Sequence, residues 1–339
     1  MKFSATEIKN VLSSTNPETT EKLARESAAL TRQYFGRAIA LYAPLYISNY
    51  CSSQCVYCGF NRHRDIKRLR LNHGQIEEEA KKISSMRIQD LLLLTGESYE
   101  MTPIDYLEKA VGVCKRYFSS LSLEIHPLDE NGYRQLFRAG ADGVTVYQET
   151  YDRQRYNEVH RAGKKQDYDF RYGTPERIAL SGIRRISMGI LLGLSPLAED
   201  LHALFQHLEW MEKHYPGVEY SVSFPRLRQI KGESPAFSHV DDINFIKAIC
   251  MTRLAFPRIG INLSTRESRE LRDNLLGLGI TRISAGSNTS VGGYAIEDPE
   301  QQEPQFDVAD LRSVQEMIAL LKQKNFDPVL TDWRQIANE

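Results

Sequence analysis

A chain of 339 residues with 41% hydrophobic and 26% charged residues has the balance of an ordinary globular protein with a substantial core. Its formal net charge of −1 excludes the strongly basic footprint of a nucleic-acid binder. Five cysteines, three of them crowded together, do not make a disulfide framework but fit thiol ligands in a reducing cytoplasm, and no apolar run reaches membrane-spanning length.

The first residues, MKFSATEIKN, contain no apolar signal core. In NPETTEKLARESAALTRQYFG, Asn16 is placed to cap a helix, Pro17 takes its first position and Gly36 stops it. Leu23, Leu30 and Tyr34 share one face, so this helix is expected to pack on something downstream. From about residue 40, short apolar runs alternate with amphipathic stretches. The runs are 41–48, 90–95, 121–126, 143–148, 185–191, 219–224, 259–264 and 282–287. Between them lie helical patterns such as PIDYLEKAVGVCKRYF and LHALFQHLEWMEKHY. Eight β–α repeats predict a TIM-type (β/α)8 barrel, and periodicity leaves a doubly wound open sheet as the alternative. No Pro/Gly/Ser-rich linker divides the chain. The expected organisation is an N-terminal helical extension (1–36), the barrel (37–300), and a C-terminal helix, DVADLRSVQEMIALLKQK, with its tail (301–339).

Barrel chemistry sits at the C-terminal ends of the strands, so the polar residues closing each run are the candidates. They are Tyr46 to Asn49, Thr95 to Glu97, Glu124, Gln148, Glu149, Arg226, Arg266 and Ser284. Directly after the first run stands CSSQCVYCGF, with Cys51, Cys55 and Cys58 spaced C-x3-C-x2-C. A structural zinc site wants four closed ligands, and only His63 is near enough in sequence to complete one. Three thiolates within eight residues suit a [4Fe–4S] cubane whose fourth iron stays open. Cys114 and Cys250 fall within amphipathic helical patterns and read as buried thiols.

The cysteine spacing after a first barrel strand, with Tyr57 immediately before the third cysteine, resembles the radical S-adenosylmethionine (SAM) superfamily. The ordered segments PLYISNYCSSQCVYCGF, LLLLTGE, GVTVYQETY, GKKQDYDFR, YSVSFPRLR and INLSTRES resemble its aromatic amino-acid lyases more narrowly. The resemblance spans about residues 25 to 333. It implies a [4Fe–4S] cluster on the three cysteines, with S-adenosylmethionine chelating the open iron. It assigns Tyr57, Thr95, Gly96, Glu97, Gln148, Glu149 and Arg171 to that cofactor: Gly96 and Glu97 to its ammonium, Gln148 and Glu149 to ribose hydroxyls, Arg171 to its carboxylate. In the tyrosine-cleaving members, hydrogen removal from the amino group of L-tyrosine breaks Cα–Cβ and yields p-cresol and dehydroglycine. By this resemblance Arg266 holds the substrate carboxylate, Tyr46 faces the amine and Ser284 contributes on the eighth strand.

The same resemblance implies a one-electron donor such as flavodoxin or ferredoxin, and a thiazole synthase as consumer of the product. NRHRDIKRLRL, with Arg62, Arg64 and Lys67, reads either as a solvated face or as a dock for an acidic donor. His126 stands where relatives carry glutamine and is a candidate acceptor for the phenol proton, while Gln229 departs from the family's PRLRP. A tryptophan-cleaving lyase remains open, since pocket shape decides between indole and phenol. A maturase of the hydrogenase type is disfavoured because no cysteine follows Cys250, and a zinc-binding scaffold is the non-enzymatic alternative.

Overall fold

A computed structural model describes residues 2–227, 237–295 and 304–331; Arg228 and Gln229 lie outside them. Eight parallel strands follow the predicted order: β1 (Ala38–Ser48), β2 (Asp90–Thr95), β3 (Ser120–Glu124), β4 (Gly143–Thr145), β5 (Arg185–Gly189), β6 (Glu219–Ser223), β7 (Gly260–Leu263) and β8 (Arg282–Ser284). Each pairs with the next, and β1 pairs with both β2 and β8, closing a barrel and excluding the open sheet. Several strands end earlier than their apolar runs. The fourth run stops at Thr145 because the chain peels away to reach Glu149, whose φ of 70° is incompatible with a strand.

Helices α1 (Ala5–Ser13) and α2 (Pro17–Phe35) precede the barrel. The strands are then joined by α3 (His73–Ser85), α4 (Ile104–Lys115), α5 (Glu130–Ala139), α6 (Arg153–Val159), α7 (Tyr168–Tyr172), α8 (Thr174–Leu180), α9 (Leu197–His214), α10 (Asp242–Ala255) and α11 (Arg269–Leu275). Asn16 caps α2 through Glu18 N–H, and Gly36 ends it at φ 62°. Leu23, Ser27 and Thr31 form the buried face of α2, whereas Tyr34 is exposed, so the packing stripe is rotated from the predicted one. Cys114 and Cys250 are buried as expected.

The predicted C-terminal helix is shorter, α12 (Val314–Gln323), and starts at a reciprocal capping box between Ser313 and Glu316. Upstream of it, Asp310 is committed to buried ion pairs with Arg272 and Arg312. The chain then adds β9 (Asp327–Val329), a strand absent from the sequence expectation. Ala40 pairs with Arg282 on one side and Val329 on the other, so β9 lies on the β2 side of β1 and covers the lower seam.

Polar side chains fill the N-terminal end of the barrel. Arg282 donates to Asp90 at 2.8 and 2.9 Å, Ser120 Oγ donates to it at 3.0 Å, and Arg185 lies 3.7 Å away. The network ties β2, β3, β5 and β8 across the floor, away from the rim. Replacing Asp90 by alanine leaves two guanidinium groups facing without their carboxylate, and we expect a loss of about 3–5 kcal/mol in denaturant-induced unfolding. A loss below ~1 kcal/mol would show that the floor relaxes or hydrates, beyond what an exposed pair costs.

Candidate active site

Chain geometry at the C-terminal rim follows from two close approaches. Gly96, just after β2, donates its N–H to Ser48 O at 2.8 Å, and a Cβ at this position would meet Tyr50 O at 2.4 Å. Only glycine lets the turn after β2 lie against the loop after β1. Ser52 then bonds Glu97 O through both its N–H and its hydroxyl, at 2.9 Å each. The second half of the cysteine loop pairs with residues 159–162: Gln54 N–H to Ala162 O at 3.1 Å, and Val56 N–H to Val159 O at 3.1 Å. Arg68 donates to the carbonyls of Asn49, Phe60 and Asn61, clamping the loop from outside.

Held this way, Cys51, Cys55 and Cys58 line one cavity. All are free thiols, Cys55 buried and the others half-buried. Burial pushes the thiol of Cys51 up to about 11 and that of Cys55 well above its ordinary range. Such thiols become ligands only opposite a strongly cationic centre. Among the described residues no three His, Cys, Asp or Glu side chains converge on a single ion. A cubane instead places each thiolate on its own iron, so this open arrangement fits a cluster with three protein ligands.

Beside the thiols lies a buried four-charge group. Glu97 Oε1 is 2.8 Å from Arg171 and 3.4 Å from Lys165; Glu149 Oε1 is 2.8 Å from Lys165 and 3.5 Å from Arg171. Burial works against the charged form of Glu97, but Lys165 and Arg171 outweigh it and hold the carboxyl below its usual range. Arg171 is anchored further by Nε–H donation to Tyr147 O at 2.6 Å. Glu97 Oε2 and Thr95 Oγ1 are both buried without a hydrogen-bond partner among the described residues and sit on the cavity wall. Two unsatisfied acceptors beside a glycine cradle suit an ammonium or hydroxyl-bearing ligand.

Of the residues expected from the sequence, Tyr46, Tyr57, Thr95, Gly96, Glu97, Glu149, Arg171, Arg266 and Ser284 line this cavity with the cysteines. Tyr57 donates to or accepts from His160 Nε2 at 2.7 Å, fixing its ring beside the loop. Tyr46 O–H donates to Gln305 Oε1 at 2.7 Å. Arg266 is stacked over the Phe306 ring at 3.8 Å, and Ser284 Oγ accepts Thr265 N–H at 3.0 Å. Gln148 is not brought to the cavity: it is buried on the other side of its strand end, among Val146, Tyr151, Met188 and His207. Alternation along the chain points it away from Tyr147 and Glu149, so of the two expected ribose partners only Glu149 lines the cavity.

His126 is also elsewhere. It packs against Tyr99 with ring centroids 4.0 Å apart and lines a separate outer cavity, and burial lowers its pKa to about 4. It is therefore not placed to accept the phenol proton of a substrate in the cavity of the three cysteines. Arg226 is spent on Glu267 and on Asp242 at 2.7 Å, as a rim ion pair. In the basic stretch Arg68 is structural, Arg62 and Lys67 are exposed, and Arg64 is half-buried. Among the cavity residues that the sequence reading did not single out are Lys165, Gln305 and Phe306. GKKQDYDFR carried a signal for Lys165, but nothing local marks Gln305 or Phe306.

Residues 45–208 match the family model of the Radical SAM superfamily, and residues 223–327 match that of the Biotin and Thiamin Synthesis associated domain. Over 314 residues the chain is 41% identical to 2-iminoacetate synthase of Salmonella typhimurium, covering 92% of this chain and 83% of that protein. The figures are the same for 2-iminoacetate synthase of Escherichia coli. The [FeFe]-hydrogenase maturase HydG from Carboxydothermus hydrogenoformans superposes with a TM-score of 0.90 at 31% identity, over 98% of this chain and 77% of that one.

Proposed function

The chain belongs to the 2-iminoacetate synthase family of radical SAM enzymes, and from that premise we propose that it cleaves the Cα–Cβ bond of L-tyrosine to 2-iminoacetate and p-cresol, supplying the thiazole moiety of thiamine. The observation that carries this reading is one cavity holding the three cysteines, the Glu97–Arg171–Lys165–Glu149 group and Arg266 together. A [4Fe–4S] cluster with S-adenosylmethionine supplies, when bound, hydrogen-atom abstraction after one-electron reduction.

Cys51, Cys55 and Cys58 would hold the cluster. Thr95, Gly96, Glu97, Glu149 and Arg171 hold the cofactor's polar groups, and Tyr57 walls it. Arg266, in the loop after β7, would present a planar fork to the substrate carboxylate. Tyr46 and Ser284 orient the amine, and the buried walls exclude water around the reacting N–H. Arg62 and Lys67 form the docking face for an acidic donor such as flavodoxin, and thiazole synthase takes the labile imine product. The five free thiols suit a reducing cytoplasm, and among the described residues no helix is long and apolar enough to cross a membrane.

The test is anaerobic incubation of reconstituted protein with S-adenosylmethionine, dithionite and L-tyrosine, with L-tryptophan in parallel. The expected products are p-cresol and deoxyadenosine from tyrosine. Deoxyadenosine without p-cresol keeps the cofactor chemistry and removes the substrate. Reversing the charges of Arg62 and Lys67 slows reduction by flavodoxin about tenfold and leaves dithionite reduction unchanged, because steering acts on encounter with a charged partner.

A further inference from the structure

Glu124 ends β3 with its side chain in the wall of the cavity. Its two acidic neighbours there, Glu97 and Glu149, are each paired with Lys165 and Arg171. Glu124 has neither: among the described residues it makes no hydrogen bond and no ion pair, and its charged neighbours act only at longer range. A partly buried carboxyl that faces the cavity with no protein donor is free to accept a hydrogen bond from a ligand. The surroundings say which kind. Register places Glu124 opposite Leu94, which is itself opposite Tyr46, and Tyr42, Pro44, Leu92 and Tyr147 line the same cavity. Rings and aliphatic groups thus flank the one carboxylate there that Lys165 and Arg171 do not pair.

Strand order adds a direction. β3 and β7 are four strands apart either way round the eight-strand barrel, so Glu124 at the end of β3 and Arg266 in the loop after β7 enter the one cavity from opposite sides of the rim. A substrate anchored at Arg266 by its carboxylate extends its ring toward Glu124. We propose that Glu124 accepts the phenol O–H of the substrate and is the residue by which this site prefers a phenol to an unsubstituted ring. This rests on the tyrosine reading above. The bond is charge-assisted, whereas phenylalanine brings no donor and leaves the carboxylate as it now stands.

Burial chiefly, and Glu149 after it, raise the Glu124 carboxyl to about 7, against the opposing pull of Lys165, Arg266 and Arg171; the phenols of Tyr42, Tyr46 and Tyr147 face it as well. The ionised acceptor is therefore present above about pH 7 and lost below it, so the preference for tyrosine rises with pH through that value.

The experiment measures dissociation constants for L-tyrosine and L-phenylalanine by equilibrium dialysis, on anaerobic cluster-loaded protein with S-adenosylmethionine. It is done for wild type, Glu124→Gln and Glu124→Leu, with the cluster spectrum and circular dichroism confirming intact protein. Wild type is expected to favour tyrosine by about 10²-fold or more, Glu124→Gln to narrow this about tenfold, and Glu124→Leu to bring it near parity. The fluorine resonance of bound 3-fluoro-L-tyrosine should move between wild type and Glu124→Gln, and the pH dependence of the preference should flatten in that variant. Equal loss of both amino acids, or an unchanged preference, overturns the assignment while p-cresol formation by wild type leaves the tyrosine reading standing. Wild type that binds no tyrosine overturns both.

Discussion

Cys55→Ala abolishes both p-cresol and deoxyadenosine, and the anaerobically reconstituted variant loses the broad visible absorption of an iron–sulfur centre. Cys55 is the most buried of the three thiols, and it sits in the bridge between the cysteine loop and His160. With one thiolate gone, two half-buried sulfurs remain, and neither Glu97 nor Glu149 can take its place because both are engaged by Lys165 and Arg171. Because all turnover depends on reduction at this centre, the expected loss exceeds about 10⁴-fold, the difference between a working and an absent redox cofactor rather than a weakened contact. The fold should survive, since the loop is also held by Arg68 and by the Ser52–Glu97 bonds. An unfolding midpoint near that of the cluster-free wild type checks this. Turnover within tenfold of wild type, with the cluster spectrum retained, would show that Cys55 is not a cluster ligand.

Arg266→Met lowers kcat/KM for tyrosine by about 10²- to 10⁴-fold, the range for losing a buried, hydrogen-bonded partner to a charged group, about 3–5 kcal/mol. Methionine keeps apolar contact with Phe306, on which the guanidinium now stacks at 3.8 Å, so packing changes little. Deoxyadenosine formation should persist at a reduced rate, uncoupled from p-cresol, because the groups assigned to the cofactor are untouched. Arg266→Lys should recover only part of the loss: it returns the charge but not the planar fork. Burial lowers the basicity of Arg266, which makes a paired anion more valuable there, not less. An unchanged KM together with unchanged coupling in the methionine variant would place the substrate carboxylate elsewhere.

The structure contains both kinds of residue, those readable in advance and those not. Eight apolar runs alternating with amphipathic helices sufficed for the barrel, because the strand and helix periods are properties of neighbouring residues. The C-x3-C-x2-C loop was readable for the same reason: five to eight residues span one ligand face whatever the rest of the chain does. Strand ends were less readable. Thr145 closes β4 three residues early because Glu149 must turn through φ 70°, a constraint set by what its carboxylate meets. The rotated face of α2 and the extra strand β9 have the same origin, since each is decided by the surface it lands on.

Chain-local chemistry thus determined the architecture, the ligand loop and the acidic and basic candidates at the strand ends. Only tertiary structure decided which of them meet. It turned Gln148 and His126 out of the cavity, brought in Lys165, and laid Gln305 against Tyr46 from 259 residues away and Phe306 against Arg266 from elsewhere in the chain. Barrel closure sets those distances. A side chain's direction at the rim depends on register and on one or two backbone angles, and neither is written in the spacing of residue types.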